Sequence, residues 1–123
     1  MKIVFFSLTG QTRRFIQKTG LPNVEITQAN PFFEILEPFI LVVPTYDEEI
    51  TEPIWDFLTF GNNLSFFKGV VGGGNRNFAD LFIFTAKDIA KEFHVPLLYE
   101  FEFSGTTMDV ENMKKVVREI EFK

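Results

Sequence analysis

Three polar segments of this chain carry residue types whose spacing could do chemistry. The first is Ser7-Leu8-Thr9-Gly10-Gln11-Thr12, which sets hydroxyls at positions 7, 9 and 12 around a glycine. Hydroxyls, a tight turn and the free N–H groups of a helix start can hold a phosphate monoester without a lysine. No Gly-Lys-Ser/Thr follows, so it is not a Walker-type loop, and an ordinary capped helix start would look similar. The second is Thr45-Tyr46-Asp47-Glu48-Glu49, an aromatic ring beside a run of like charges. The run has no histidine or cysteine nearby to make a metal site and reads as a solvated loop. Beside a redox-active ring its charges would oppose added negative charge and lower a reduction potential. The third is Gly72-Gly73-Gly74-Asn75-Arg76-Asn77-Phe78. Three successive glycines carry an entropic cost. They make sense where the backbone lies against a flat ligand or takes positive φ, with Asn75, Arg76 and Asn77 at the ligand's edge; a floppy surface loop is the alternative. Tyr46 and Phe78 can flank a ring system or simply pack.

What is missing narrows the chemistry further. There is no cysteine among the 123 residues and one histidine, His94. Disulfides, thiolate nucleophiles and Cys-ligated metal clusters are excluded together, so any redox function needs a bound organic cofactor. A net charge of −5 argues against nucleic acid, which needs clustered Lys/Arg, and suits solubility or docking on a basic protein surface. No apolar stretch approaches the roughly 18–20 residues of a membrane span. The apolar run after Met1-Lys2 is too short for a signal peptide, so the expected location is the cytoplasm, with no membrane partner. The length leads us to expect a single domain over residues 1–123. Seventeen phenylalanines imply core filling with large rings, or an exposed aromatic patch for a cofactor or partner.

The elements that must position these segments follow from periodicity. Ile3 to Phe6 reads as a buried strand, and Gln11 to Lys18 as a helix with Phe15 facing inward, stopped by Gly20-Leu21-Pro22. Val24 to Thr27 reads as a strand near an edge. Pro31 and Pro38 leave the following crossover a short helix or none. Phe39 to Val43 is a strand buried on both faces. Thr51 is expected to cap a helix with Pro53 in its first turn, Ile54, Phe57 and Leu58 inward, and Gly61 at its close. Lys68 to Val71 enters a fourth strand. Phe82, Ala86, Ile89 and Phe93 share one face of a helix expected over Ala79 to Phe93. Leu97 to Phe103 reads as an edge strand, with Tyr99, Phe101 and Phe103 on one face and Glu100 and Glu102 on the other. Thr106 to Asp109 looks like a cap for a last helix that buries Val110, Met113, Val117 and Ile120 and leaves Lys114, Lys115 and Arg118 outside.

Strand–helix–strand repetition with five strands implies an α/β fold, a doubly wound five-stranded parallel sheet with short crossovers. In the order 2-1-3-4-5, ligands bind beyond the carboxyl ends of the strands at the switch between strands 1 and 3. The three polar segments follow strands 1, 3 and 4, which are neighbours in that order. They therefore converge on one place.

The pattern resembles a known family. Ser7-x-Thr9-Gly10-x-Thr12 is similar to the phosphate loop of flavodoxins. Gly74-Asn75-Arg76-Asn77-Phe78, with Val95-Pro96-Leu97-Leu98, Phe101-Glu102-Phe103-Ser104-Gly105-Thr106 and Asp109-Val110, resembles the NrdI family across essentially the whole chain. These are flavodoxin-like activators of class Ib ribonucleotide reductase. The resemblance implies an FMN cofactor, reduced by a small protein or flavin reductant, that yields a superoxide- or peroxide-level oxidant. That oxidant would serve the dimanganese-tyrosyl radical site of the reductase's small subunit. By position, Ser7, Thr9, Gly10, Gln11 and Thr12 would hold the phosphate. Thr45, Tyr46, Gly73, Gly74, Asn75 and Asn77 would surround the isoalloxazine, with Phe78 beside it. No side chain is implied as a general acid, base or nucleophile.

Two features depart from the family pattern: Asp47-Glu48-Glu49 stands where many members have glycines, and Ala79 where glycine often follows the phenylalanine. A generic small flavodoxin carrying electrons elsewhere is the nearest alternative. A non-redox partner-binding relative with weak FMN affinity is another. A phosphoacceptor domain is disfavoured, because Ser7 and Pro44 stand where it needs carboxylates.

Overall fold

Strands with no polar face must be covered on both sides, and β1 (Lys2–Phe6) and β3 (Phe39–Val43) are almost wholly buried. The computed structural model describes residues 1–122. It adds α1 (Gln11–Thr19), β2 (Asn23–Ile26), α2 (Glu48–Leu58), α3 (Asn63–Phe66), β4 (Phe67–Gly74), a 3-10 helix (Arg76–Leu81), α4 (Phe84–Phe93), β5 (Leu97–Glu102) and α5 (Thr107–Glu121). The strands form one parallel sheet in the order β2-β1-β3-β4-β5, with Ile3 beside Ile40 and Val42 beside Val71. Alternation along the strands sends side chains to opposite faces. Val4, Phe6, Leu41 and Val43 meet Ile54 and Phe57 of α2 and Ala86 and Ile89 of α4. Ile3, Phe5, Ile40 and Val42 meet Phe15 and Ile16 of α1 and Val110, Met113 and Val117 of α5. The phenylalanines divide between both expected uses: Phe15 stacks on Phe101 at 4.0 Å deep inside, while Phe32, Phe78 and Phe103 are exposed.

The crossover between β2 and β3 contains no helix, as its prolines imply. Its place on the core is taken by Phe33 and Ile35, fixed by a polar side chain. Fully buried Asn63 accepts the Ile35 N–H at 2.9 Å and donates to the carbonyls of Phe33 and Phe57 at 2.9 and 2.7 Å. One amide thereby ties an extended segment to the end of α2.

Four boundaries differ from the sequence expectation. α2 begins at Glu48 with Asp47 at its cap position, so the acidic run is a helix start rather than a loop, and Thr51 lies within the helix. Acidic residues complement the positive end of the helix dipole there, and the Thr51 hydroxyl donates back to the Asp47 carbonyl at 3.2 Å. β4 runs on through Gly74, and none of Gly72, Gly73 or Gly74 has positive φ. The helix expected over 79–93 is split, because Ala79 (φ 49°) and Ile83 (φ 54°) break it and leave Phe82 ahead of α4. β5 stops at Glu102, and Phe103, at φ 54°, leaves the face of Tyr99 and Phe101.

α5 opens on the expected cap, a reciprocal pair in which Thr106 Oγ1 accepts the Asp109 N–H and the Asp109 carboxylate accepts the Thr106 N–H. The other Asp109 oxygen accepts the Tyr99 hydroxyl at 2.6 Å. Burial works to raise the Asp109 carboxyl, but hydrogen bonds from Tyr99 and Thr106, with the Arg76 charge, outweigh it and hold it below its ordinary range. The Tyr99 hydroxyl is pushed up, by burial first and then by the bond to Asp109.

Replacing the buried amide, Asn63→Ala, should cost about 2–4 kcal/mol, since it strands one N–H and two carbonyls. Urea unfolding measures this; an unchanged midpoint would mean that Phe33 and Ile35 hold the crossover by packing alone. The second expectation concerns acid. A carboxyl depressed on folding adds stability above its unfolded pKa, about 3.9, and that stability is lost as pH falls through the folded value. Tyr99→Phe should raise the Asp109 pKa and move acid unfolding to higher pH, which an NMR titration of Asp109 would record.

Candidate functional site

The carboxyl ends of β1, β3 and β4 meet in a cleft of about 300 Å³. Its first wall is the β1–α1 turn, contributing Leu8, Thr9, Gln11 and Thr12. Gly10 makes that turn possible, since its φ of +92° is strained for any residue with a Cβ. Ser7 does not line the cleft but braces the turn, its Oγ accepting the Arg13 N–H at 3.3 Å. Among the described residues, the N–H groups of Leu8, Thr9, Gly10, Gln11 and Thr12 have no protein acceptor. Thr12 is only 4% exposed, and among the described residues no buried side-chain polar atom lacks a partner, so its hydroxyl, which has no protein hydrogen bond among them, is open to the cleft that the residue lines. Consecutive free donors at a helix start, with an unused hydroxyl beside them, form an anion cradle.

The second wall is Pro44, Thr45 and Tyr46, which follow β3. Thr45 Oγ1 donates to the Gly73 carbonyl at 2.8 Å, and Tyr46 exchanges main-chain bonds with the Thr85 hydroxyl at 3.2 and 3.1 Å. The third is Gly73, Gly74 and Asn75, with Phe78 and Leu81 from the 3-10 helix and Phe103 from the turn after β5. The glycines are required by close approach rather than by turn geometry. A Cβ on Gly73 would lie 2.7 Å from the Phe101 ring, and one on Gly72 2.7 Å from Ala86 Cβ. Asn75 Oδ1 accepts the Asn77 N–H at 2.9 Å, so Asn77 shapes the turn without lining the cleft. Phe78 and Phe103, 62% and 50% exposed, stand at the rim.

Of the residues singled out from the sequence, Thr9, Gln11, Thr12, Thr45, Tyr46, Gly73, Gly74, Asn75 and Phe78 come together here, while Ser7, Gly10 and Asn77 support them from behind. Leu8, Pro44, Leu81 and Phe103 were not anticipated. Neither were Arg13 and Arg14, whose guanidinium nitrogens lie 3.8 and 4.0 Å from where a Gly10 Cβ would be. Arg13 is engaged by Glu25 at 3.0 and 2.6 Å, a bond that pushes its pKa up further. Arg14 has no carboxylate partner among the described residues. Two arginines in the first turn of α1 oppose the helix dipole, an unfavourable arrangement that an anion held at the turn would offset.

A roomier depression of about 740 Å³ lies between α2 and α4, and Glu48 and Glu49 line it rather than the cleft. Glu52, Asp88 and Glu92 join them against Lys91 alone, so that surface repels a phosphate. Among the described residues no group of three potential ligands could hold a metal, and no helix is long and apolar enough to cross a membrane.

Comparison with known proteins gives the family and the fold. A family model described as NrdI flavodoxin-like matches residues 3–115. Protein NrdI of Ruegeria sp. (strain TM1040) is 35% identical over 117 residues, which is 91% of this chain and 84% of that protein. Among solved structures, a short-chain flavodoxin associated with a non-canonical PDU bacterial microcompartment superposes with a TM-score of 0.68 at 16% identity. The match covers 98% of this chain and 95% of the other, and at that identity what is shared is the fold.

Ala79 sits at φ 49° and ψ −115°, a conformation that suits glycine. Ala79→Gly should therefore stabilise the protein by about 1 kcal/mol, the relieved strain less the greater freedom of glycine in the unfolded chain. Thermal or urea unfolding would check it; equal or lower stability would mean that the turn holds no strain at this residue.

Proposed function

The chain belongs to the NrdI flavodoxin-like family, and from that premise we propose that the cleft binds FMN and that the protein serves a class Ib ribonucleotide reductase. The observation that carries this reading is the run of free N–H groups from Leu8 to Thr12 with the unused Thr12 hydroxyl, facing Tyr46, Asn75 and Phe78 across one cleft. These residues fit the group. A terminal phosphate is met by main-chain donors, the hydroxyls of Thr9 and Thr12 and the charge of Arg14. A flat ring would lie against the backbone of Gly73 and Gly74, between the aromatic side chains of Tyr46, Phe78 and Phe103. A volume of about 300 Å³ is at the lower end of small-molecule sites, which suits a mononucleotide better than FAD.

In this reading, bound flavin supplies electrons, delivered by a small protein or flavin reductant, that convert dioxygen to the superoxide- or peroxide-level oxidant needed to form a dimanganese-tyrosyl radical cofactor. The protein's own part is to hold and orient. Thr9, Gln11 and Thr12 would fix the phosphate end, with Ser7 and Gly10 shaping their turn. Thr45, Tyr46, Gly73, Gly74 and Asn75 would border the ring, with Asn77 bracing Asn75. Phe78 and Phe103 would shield one side from water and leave an edge open to the reductase's small subunit. We place this activity in the cytoplasm.

The protein should release FMN, not FAD, on heating, as chromatography would identify. Thr9→Ala with Thr12→Ala should weaken FMN binding by about 1.5–3 kcal/mol per hydroxyl lost from a charged phosphate, with the fold intact. Flavin fluorescence titration measures this, and unaltered affinity would place the phosphate elsewhere. The reduced protein, given oxygen, should generate the tyrosyl radical in a manganese-loaded small subunit; electron transfer to other acceptors without radical formation would instead favour a general carrier.

A further inference from the structure

The 3-10 helix that brings Phe78 and Leu81 to the cleft is tied to the sheet on its far side through one residue. The Arg76 N–H donates to Glu102 Oε2 at 3.1 Å, and Arg76 Nε lies 3.2 Å from Glu102 Oε1. Both carboxylate oxygens of Glu102 are thus committed to residue 76. Arg76 Nη1 stands 3.9 Å from Glu100 Oε1, and Cζ stands 4.6 Å from the centroid of the Phe82 ring. Phe82 is buried against the sheet, 3.1 Å from where a Gly74 Cβ would be. Gly74 is the register partner of Glu102, and its carbonyl accepts the Phe103 N–H at 3.1 Å. A closed circuit therefore runs from Glu102 through Arg76, Phe82 and Gly74 back to Glu102, around the carboxyl ends of β4 and β5.

Exposed ion pairs usually contribute little. This one differs in geometry, because a single carboxylate accepts from both the main chain and the side chain of one residue, and an aromatic ring backs the guanidinium. It also closes on the turn that contains the strained Ala79 and opens at Asn75. We propose that Arg76 and Glu102 are positioning residues for the cleft. Their clamp holds the 3-10 helix where Asn75 and Phe78 meet the ring of the ligand, and it has no part in holding the phosphate end. The inference rests on the FMN reading above.

The test compares wild type with Glu102→Ala, Glu102→Gln and Arg76→Lys by FMN fluorescence titration, by the visible spectrum of the bound flavin and by urea unfolding. Glu102→Ala should weaken FMN binding about three- to tenfold and shift the flavin spectrum, as the ring loses its neighbours. Glu102→Gln, which keeps an acceptor for the Arg76 N–H, and Arg76→Lys, which keeps the charge, should each restore part of the affinity and of the spectrum. If Glu102→Ala lowers only the urea midpoint while affinity and spectrum stay as in wild type, the clamp is merely structural and the proposal is overturned. If the conservative variants behave like Glu102→Ala, the Arg76–Glu102 geometry does not position the ring and the proposal is likewise overturned. Should wild type itself bind no FMN, the cofactor reading fails and this inference falls with it, an outcome distinct from either of the others.

Discussion

Three consecutive residues at the end of β4 have no side chain because their neighbours already fill the space. Ile83 and Ala86 crowd Gly72 from one face of the sheet, and the ring of Phe101 covers Gly73 from the other. Much of the site follows from that exclusion. Phe101 can lie flat over the strand and still stack on Phe15, so β4, β5 and α1 are locked in one layer of contact. α1 begins at the anion cradle, and the opposite wall is fixed by the hydroxyl of Thr45 on the carbonyl of Gly73. The same glycines, by admitting these neighbours, set the distance between the walls of the cleft. Side chains on β4 here would displace the walls before they touched any ligand.

The architecture was legible in the sequence because parallel strands covered on both faces leave unbroken apolar runs, and Phe39 to Val43 is such a run. The convergence of three loops followed from strand order alone. What sequence reasoning got wrong lies where tertiary contact overrode local preference. In the sequence the glycine triplet fits either a backbone lying against a flat ligand or positive φ; the structure shows no positive φ there and a close approach to Ile83, Ala86 and Phe101, which only neighbours distant in sequence reveal. Ala79 and Ile83 hold left-handed conformations that no propensity favours, so a continuous helical stripe was read through a break. Phe103 followed the alternation of Tyr99 and Phe101 in sequence but not in space, because its backbone turns to a left-handed φ of 54°.

The chain also shows how a doubly wound sheet can be shortened. A crossover normally needs a helix to cover its face of the sheet. Here Phe33 and Ile35 supply the apolar cover, and two main-chain groups of the extended crossover, the Ile35 N–H and the Phe33 carbonyl, are met by Asn63. A buried amide is acceptable because its oxygen and both of its hydrogens are used. The long-range specificity of that single residue stands in for a whole turn of local structure.

Both margins of the sheet carry paired charge. β5 presents one open side along Leu97 to Glu102, a segment rich in leucine and aromatic residues that could template pairing with another chain. Glu100 and Glu102 punctuate it, and the guanidinium of Arg76 sits beside both. The opposite margin, β2, is four residues long and has Glu25 bound to Arg13. A second molecule approaching either margin must strip water from a paired glutamate before it gains a ladder of hydrogen bonds. The chemistry that orders these ends of the sheet thus also raises the cost of edge-to-edge pairing between copies of the chain.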